Sequence, residues 1–416
     1  MVPRFDVSFR SQRTGIYALA LLLMGSAQVV AGQAIQIESS TTSMTSTTKR
    51  MVSYRNQQHS WQTSDGAIHL MVNQGTVPAD NSLTLYSSFD GGVTWTPMFT
   101  LANTNSYSTS DGIIQNSGTG AVLQLVYGSD PATGYIMYAT ATYNSAAQSW
   151  TLSTPQTAFA APLYVGSNPA FSVDSGGNLW CEFTAENRKT LQYEVEMLYQ
   201  AANTTTWTNT GLVFGGIDGS TQHAGRPVPL NNGVGMIYQV DQTMYWAYRL
   251  SGAPISTPWT TSVLYVGLPP QSSDPYDTHF AVAADASDNL FLAFQGTAQL
   301  QYMKYSSSTS SWGPVEALAS ASPTATYMQV TIAGGNVVLF VNYKSSIQVF
   351  QSTDDGNTFT LTQALVHPTP PPGSTLDYNN PRVEAPVNAS SPIPTWQQFF
   401  NGPTQGLMFF QVPVVY

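Results

Sequence analysis

The stretch SFDGGVTW, from Ser88 to Trp95, decides the fold when set beside STDDGNTF, from Ser352 to Phe359. Both read S-x-D-x-G-x-T-aromatic. Asp90 and Asp354 are placed to accept hydrogen bonds from a turn backbone, and Gly92 and Gly356 can take backbone angles that other residues resist. Trp95 and Phe359 close each turn with a ring suited to packing between sheets. Degenerate copies lie between them: YNSAAQSW ending at Trp150, ANTTTW at Trp207, SGAPISTPW at Trp259 and SSSTSSW at Trp312. The six aromatic positions are spaced 47 to 57 residues apart. A recurring period of this size marks a repeat architecture.

Each turn has the same neighbours. A β-rich run stands about 20 residues or more upstream: AIHLMVNQ, AVLQLVYG, NLWCEFTA, VGMIYQVD, NLFLAFQG and NVVLFVNYK. A second run leads into the turn: SLTLYSS, YIMYATATY, YEVEMLYQ, MYWAYRLS, LQYMKYSS and IQVFQST. Alternation and Val/Tyr/Phe richness mark both as strands. PTWQQFFNG and GLMFFQVPVVY supply a seventh pair, and no long amphipathic helical pattern occurs. The expected fold is all-β, a seven-bladed β-propeller of four-stranded antiparallel blades at about 55 residues each. Six blades with an irregular C-terminal cap is the alternative count. The last blade lacks an outer strand, which the segment IQIES near residue 35 is expected to supply, closing the ring.

Of 416 residues, 42% are hydrophobic and 12% aromatic, enough for a large core and too rich for a disordered chain. Only 9% are charged, and 13 Lys+Arg against 23 Asp+Glu leave a net charge of -10. Such a chain binds nucleic acid or anionic membrane poorly, so neither is an expected partner. Cys181 is the sole cysteine, which excludes an intrachain disulfide, and its setting in NLWCEF reads as a buried, inert thiol. Residues 1–34 read as a secretory signal: Arg4, Arg10 and Arg13 precede the apolar run GIYALALLLMG, which is short for a span of about 20 residues. The expected organisation is a signal at 1–34, a closing strand and Ser/Thr-rich linker at 35–52, and a propeller at 53–416. The product is expected to be a monomer, secreted or held at the cell surface, in the extracellular or periplasmic space.

The paired motifs resemble the Asp-box of bacterial neuraminidase-type repeats, a superfamily of secreted, glycan-directed propellers that includes the sialidases. The resemblance implies that Asp90 and Asp354 are structural and that ligands bind on the opposite face, at a mouth of the central channel. The innermost strands should then fall in SYRNQQHSWQ (53–62), SYSTSDGIIQ (106–115), SNPAFSVD (167–174), TQHAGRPVPL (221–230), DPYDTHFAVA (274–283), TYMQVTIA (326–333) and DYNNPRVEAP (377–386).

Scarcity makes these stretches informative. Beyond residue 34 there are six arginines, and Arg55, Arg226 and Arg382 fall here. Three of the five histidines do too: His59, His223 and His279. Asp274, Asp277, Asp377 and Glu384 join them, with Tyr54, Tyr276, Tyr327 and Tyr378. Ionisable groups concentrated on converging strands indicate a polar funnel.

Sialidases hold a substrate carboxylate with three arginines, whose planar forks bind it bidentately. GRPVPL at 225–230 is similar to their arginine–isoleucine–proline segment, although it lies mid-chain and seven blades depart from the sialidase six. Secreted seven-bladed polysaccharide lyases are similar in using His, Tyr and Arg around a uronate: arginine neutralises the carboxylate, and His or Tyr moves the proton. His223, His279, Tyr276 and Asp277 are therefore the candidate catalytic residues. Arg55, His59, Arg226, Arg382, Glu384 and Tyr378 are the candidate substrate-binding residues. No metal site and no cofactor are expected. The expected activity is cleavage of glycosidic bonds in an extracellular glycan, acidic or neutral, by hydrolysis or elimination. A non-catalytic lectin or adhesin is the alternative.

Overall fold

A computed structural model describes residues 35–36, 46, 48 and 51–414, except 53, 55, 76–81, 116–117, 119, 130–132, 162–163, 219–223, 241, 269–278, 297–298, 319–326, 343–345, 367–375, 378–381 and 402–403. The expected signal at 1–34 lies outside the described residues.

Seven sheets follow one another along the chain, antiparallel but for one short parallel pairing of Asn388–Ala389 with the sixth, and no described residue is helical. Blade 1 runs outward from Ser60–Gln62 through Ile68–Asn73 and Leu83–Ser88 to Thr96–Leu101. The next innermost strands are Ser110–Gln115 in blade 2, Tyr164–Val173 in blade 3 and Ala224–Leu230 in blade 4. Phe280–Ala284 and Tyr327–Ala333 begin blades 5 and 6. Blade 7 begins with two short segments, Leu376–Asp377 and Val383–Glu384, both paired to Ile393–Asn401. Its next strand, Thr404–Val412, is flanked by Ile35–Gln36, with Ile35 opposite Phe409 and Gln36 opposite Met408. An N-terminal segment thus supplies the missing strand and closes the ring, as expected from the count of seven.

The period in the sequence has a packing cause. The aromatic residue that closes each turn meets a ring of the preceding blade. Trp150 stands edge-on to His69, Trp207 to Tyr138, Trp259 to Trp180, Trp312 to Trp246 and Phe359 to Tyr302, with ring centroids 4.8–5.7 Å apart. Trp95 of blade 1 meets Trp396 and Phe409 of blade 7, which carries the pattern across the closure. Trp95, Trp150 and Trp259 are buried and Trp207, Trp312 and Phe359 half-buried, and at about 1.5–3 kcal/mol for a fully buried ring they contribute substantially to the adhesion between blades.

The two strict turns are built alike. Asp90 accepts from the Val93 and Thr94 amides and from the Ser88 and Thr94 hydroxyls, while the Gly92 amide donates to the Ser88 hydroxyl. Asp354 repeats this with Ser352, Gly356 and Thr358. These hydrogen bonds hold the Asp354 carboxyl at a pKa of about 2, the Thr358 hydroxyl having the largest effect. Gly92 has φ +92°, and an added Cβ would lie 2.0 Å from the Phe409 ring. A second turn family also recurs. Asp174 accepts from the Gly176 and Asn178 amides and from the Trp180 indole, and Asp285 accepts from the Ser287 and Asn289 amides. These turns join the first and second strands of blades 3 and 5, in DSGGNLW and DASDNLF.

Candidate functional site

Strand direction fixes which side chains share a face. In an antiparallel four-stranded blade the first and third strands begin on one face, and the turn after the third strand lies on the other. The Asp90 and Asp354 turns follow third strands. The beginnings of the innermost strands therefore gather at the mouth opposite them.

That mouth is crossed by the chain itself. The segment from Tyr54 to Ser60, ahead of blade 1, reaches most of the ring. Asn56 donates through its amide nitrogen to the Gly225 carbonyl of blade 4 at 2.8 Å, and Gln57 does so to the Pro169 carbonyl of blade 3 at 2.8 Å. The Gln58 amide donates to Asp111 of blade 2 at 2.7 Å. The His59 amide donates to Glu384 of blade 7 at 3.0 Å, and the Ser60 hydroxyl to the same oxygen at 3.1 Å. Adjacent backbone amides thus hold two carboxylates from different blades. Polar side chains suit this place because seven converging strands bury it while leaving backbone groups in need of partners.

Asp111, fully buried, spends its oxygens on the Gln58 amide, the Phe171 amide at 2.9 Å and an ion pair with Arg226. Glu182, on the second strand of blade 3, is also fully buried. Burial pushes its carboxyl well above the usual carboxylate range; the Gly225 backbone and Arg226 pull it down, and the Asp111 charge pushes it further up. Its surroundings thus favour the protonated form of Glu182 over the ionised one. Cys181 beside it is buried and free, its thiol pushed up by burial first and then by Glu182 and Asp111.

A second group lies across the mouth. His59 Nδ1 is 3.2 Å from Glu384, and its Nε2 is enclosed with no hydrogen-bond partner among the described residues. Arg382 donates to the Val52 carbonyl at 3.2 Å, and its guanidinium lies 6.0 Å from the Tyr54 ring centre and 5.6 Å from that of Tyr327. No carboxylate of the described residues pairs with Arg382, and its Nε has no partner among them. Tyr327 packs in turn against His279, with ring centroids 5.9 Å apart.

Of the residues expected to act, the structure brings His59, Arg226, His279, Arg382 and Glu384 to this mouth, all buried. Arg55, His223, Tyr276, Asp277 and Tyr378 lie outside the described residues, as does Asp274; for Asp377 only the backbone pairing is described. Asp111 and Glu182 were not singled out by the sequence reading. Each is a carboxylate inside a strand of a chain with few charges, which is the signal that marks them. No cluster of His, Cys, Asp and Glu suited to a metal ion occurs among the described residues.

Below Gln58 and Arg226 the channel continues toward the opposite face as a cavity of about 250 Å³. Its walls are mainly apolar, from Ile113, Phe171, Val173, Val228, Val282 and Val387, and Asp285 and Asn388 stand at the far end.

No protein-family model matches the chain, and no curated protein matches it in sequence. Solved structures do resemble it. An ulvan lyase described as a new family of polysaccharide lyase is similar at 9% identity, covering 86% of this chain and 93% of its own, with a TM-score of 0.51. The same kind of lyase bound to a GlcA–Rha repeat gives 10% identity, 88% and 96% coverage and a TM-score of 0.50. An α-L-arabinanase of Penicillium chrysogenum complexed with arabinobiose gives 11%, 91% and 98%, with a TM-score of 0.46. At such identities the likeness to the two lyase structures shows the fold alone.

Proposed function

We propose that the protein is a secreted enzyme that cleaves glycosidic bonds in an acidic extracellular polysaccharide, by β-elimination at the mouth where the innermost strands begin. One observation carries the reading: Arg382 lies beside two tyrosine rings with no carboxylate paired to it among the described residues, and one of those rings packs on His279. A buried cation whose Nε lacks a partner costs stability. A ligand carboxylate would supply the missing partner.

In this reading Arg382 binds the uronate carboxylate and makes the adjacent C–H acidic. His279, with His223 and Tyr276 of the same set, removes that proton. The C–O bond to the leaving sugar breaks as the carbon–carbon double bond forms, and a proton returns to the leaving oxygen. Elimination is favoured over hydrolysis because hydrolysis needs a pair of carboxyl groups flanking the bond. Among the described carboxylates, Asp111 and Glu384 already spend their oxygens on backbone amides and side chains, and Glu182 is fully buried. The short apolar run and flanking arginines at 1–34 support export. The chain's net charge of -10 opposes an anionic polymer, so a local cationic group is required for binding.

The test is Arg382→Ala beside Arg382→Lys, assayed on the acidic polysaccharide that the wild type cleaves. Both should lower kcat/KM by about 100-fold or more, because an ammonium does not reproduce the planar fork. The wild-type rate should fall with added salt. A folded Arg382→Ala variant with near wild-type activity would overturn the assignment.

A further inference from the structure

A groove of about 400 Å³ opens between blades 5 and 6, beside the Asp354 turn and away from the channel mouth. Its origin is a bulge. Trp312 pairs with Tyr305 and Glu316 with Tyr302, so Gly313, Pro314 and Val315 stand opposite Met303 and Lys304 alone. One extra residue, with a proline that has no amide to donate, bends the outer strand of blade 5 outward. The space it leaves faces the turn of blade 6.

We propose that this groove is a second, non-catalytic saccharide-binding site that takes a neutral glycan chain. Tyr302 is half-buried and braced: its ring stands edge-on to Phe359 at 4.8 Å, and its hydroxyl donates to the Asn357 carbonyl at 3.3 Å. A fixed, partly exposed ring is a stacking platform for the apolar face of a sugar, and it loses little entropy on binding. Thr309 and Ser311, exposed and joined by a 2.9 Å hydrogen bond, line the same groove, and the exposed Glu316 carboxylate accepts from sugar hydroxyls.

Charge selects the class of glycan. Lys304, the cation of the groove, is already engaged by Asp355. Glu316 has no ion-pair partner among the described residues. The Tyr302 hydroxyl is pushed up by burial and then by the Glu316 and Asp354 charges, which reports a negative field there. An anionic polymer is repelled from such a groove, and a neutral one is not. The volume falls within the ~300–1,000 Å³ of small-ligand sites. This site stands apart from the cleavage proposed above and holds whether or not that proposal does.

Affinity electrophoresis of the full chain in gels containing galactomannan, xyloglucan or arabinan tests it, with pectate as the acidic comparison. At least one neutral polymer should retard the wild type. Tyr302→Ala should raise its Kd about tenfold, the loss of one stacking contact of about 1.4 kcal/mol. Glu316→Gln, an exposed and nearly isosteric change that leaves folding intact, should raise Kd about threefold, with no change in turnover of any cleaved substrate. Failure of all three neutral polymers to retard the wild type would overturn the proposal. So would wild-type retardation of Glu316→Gln and Tyr302→Ala together, or retardation by pectate that Tyr302→Ala abolishes.

Discussion

Glu384 accepts a hydrogen bond from the His59 amide at 3.0 Å although 325 positions separate the two residues. The contact ties blade 7 to the segment leading into blade 1, at the same mouth where the Gln58 amide holds Asp111. The ring is therefore closed twice: by strand pairing at its rim, between Ile35–Gln36 and Thr404–Val412, and by carboxylates at its axis.

Removing the axial closure should cost stability. Glu384→Ala leaves the buried His59 amide and Ser60 hydroxyl without their acceptor, a loss of about 2–4 kcal/mol. Urea unfolding of the variant should show a lowered midpoint with the wild-type slope. An unchanged midpoint would mean that water replaces the carboxylate at no cost.

Arg226 and Glu182 should respond in opposite senses. Arg226→Ala leaves the Asp111 charge buried beside Glu182 and should destabilise by about 3–5 kcal/mol. Glu182→Gln should be neutral or stabilising at pH 7, because burial disfavours the ionised carboxyl. The unfolded chain ionises Glu182 near the ordinary carboxylate pKa, and burial raises that pKa in the folded chain. Above that value the unfolded state binds fewer protons, so this group lowers stability as pH rises toward its folded pKa. The advantage of Glu182→Gln over wild type should accordingly grow as pH rises above the ordinary carboxylate range. A difference independent of pH would contradict the raised pKa of the buried carboxyl.

Asp354 shifts the other way. Its pKa is depressed to about 2, so its contribution is present above the ordinary carboxylate value and fades as pH falls through that window. The stability gap between wild type and Asp354→Asn should be full at pH 5 and should close between about pH 4 and 2. Ligand binding at the mouth should be the same in both proteins at pH 7. A gap that persists at pH 2 would show that the turn does not depend on the charged form.

Gly92 couples a turn to the next blade. An alanine there must hold φ near +92° and place its methyl 2.0 Å from the Phe409 ring. Gly92→Ala should cost about 2–4 kcal/mol in a thermal or chemical melt. Gly66→Ala, at φ +85° with nothing within 4 Å, isolates the backbone part of that cost and should be milder. Equal losses would show that the ring contact contributes nothing.

The sequence carried the architecture because each blade repeats one packing problem. The ring at 95, 150, 207, 259, 312 or 359 must meet the blade before it, so it recurs at near-constant spacing. Trp61, Trp180 and Trp396 fall outside that position and are buried as well. The turns at Asp174 and Asp285 were legible in DSGGNLW and DASDNLF but do not match the serine-led motif, and they went unread. The mouth was legible only in part. Scarce basic residues pointed to Arg226, Arg382, His59 and His279, whereas Asp111 sits in the polar run STSDG and Glu182 in the apolar run LWCEF, and neither setting marks a site. Their role depends on which strands converge, which is a property of the closed ring and of no local window. Likewise, nothing in QQHSW announces that Gln57 and Gln58 reach blades 3 and 2, because those partners lie 112 and 53 positions away.

Cleavage at the mouth is tested most directly by one assay: the purified chain is incubated with a panel of polyuronates, and reducing ends are followed together with the ultraviolet absorbance of an unsaturated uronate. The account predicts that both signals rise in step on at least one acidic polymer, and that both are lost in Arg382→Ala. Reducing ends without the unsaturated product would replace elimination by hydrolysis. Neither signal on any polymer, acidic or neutral, would contradict the account and leave a glycan-binding propeller without catalysis.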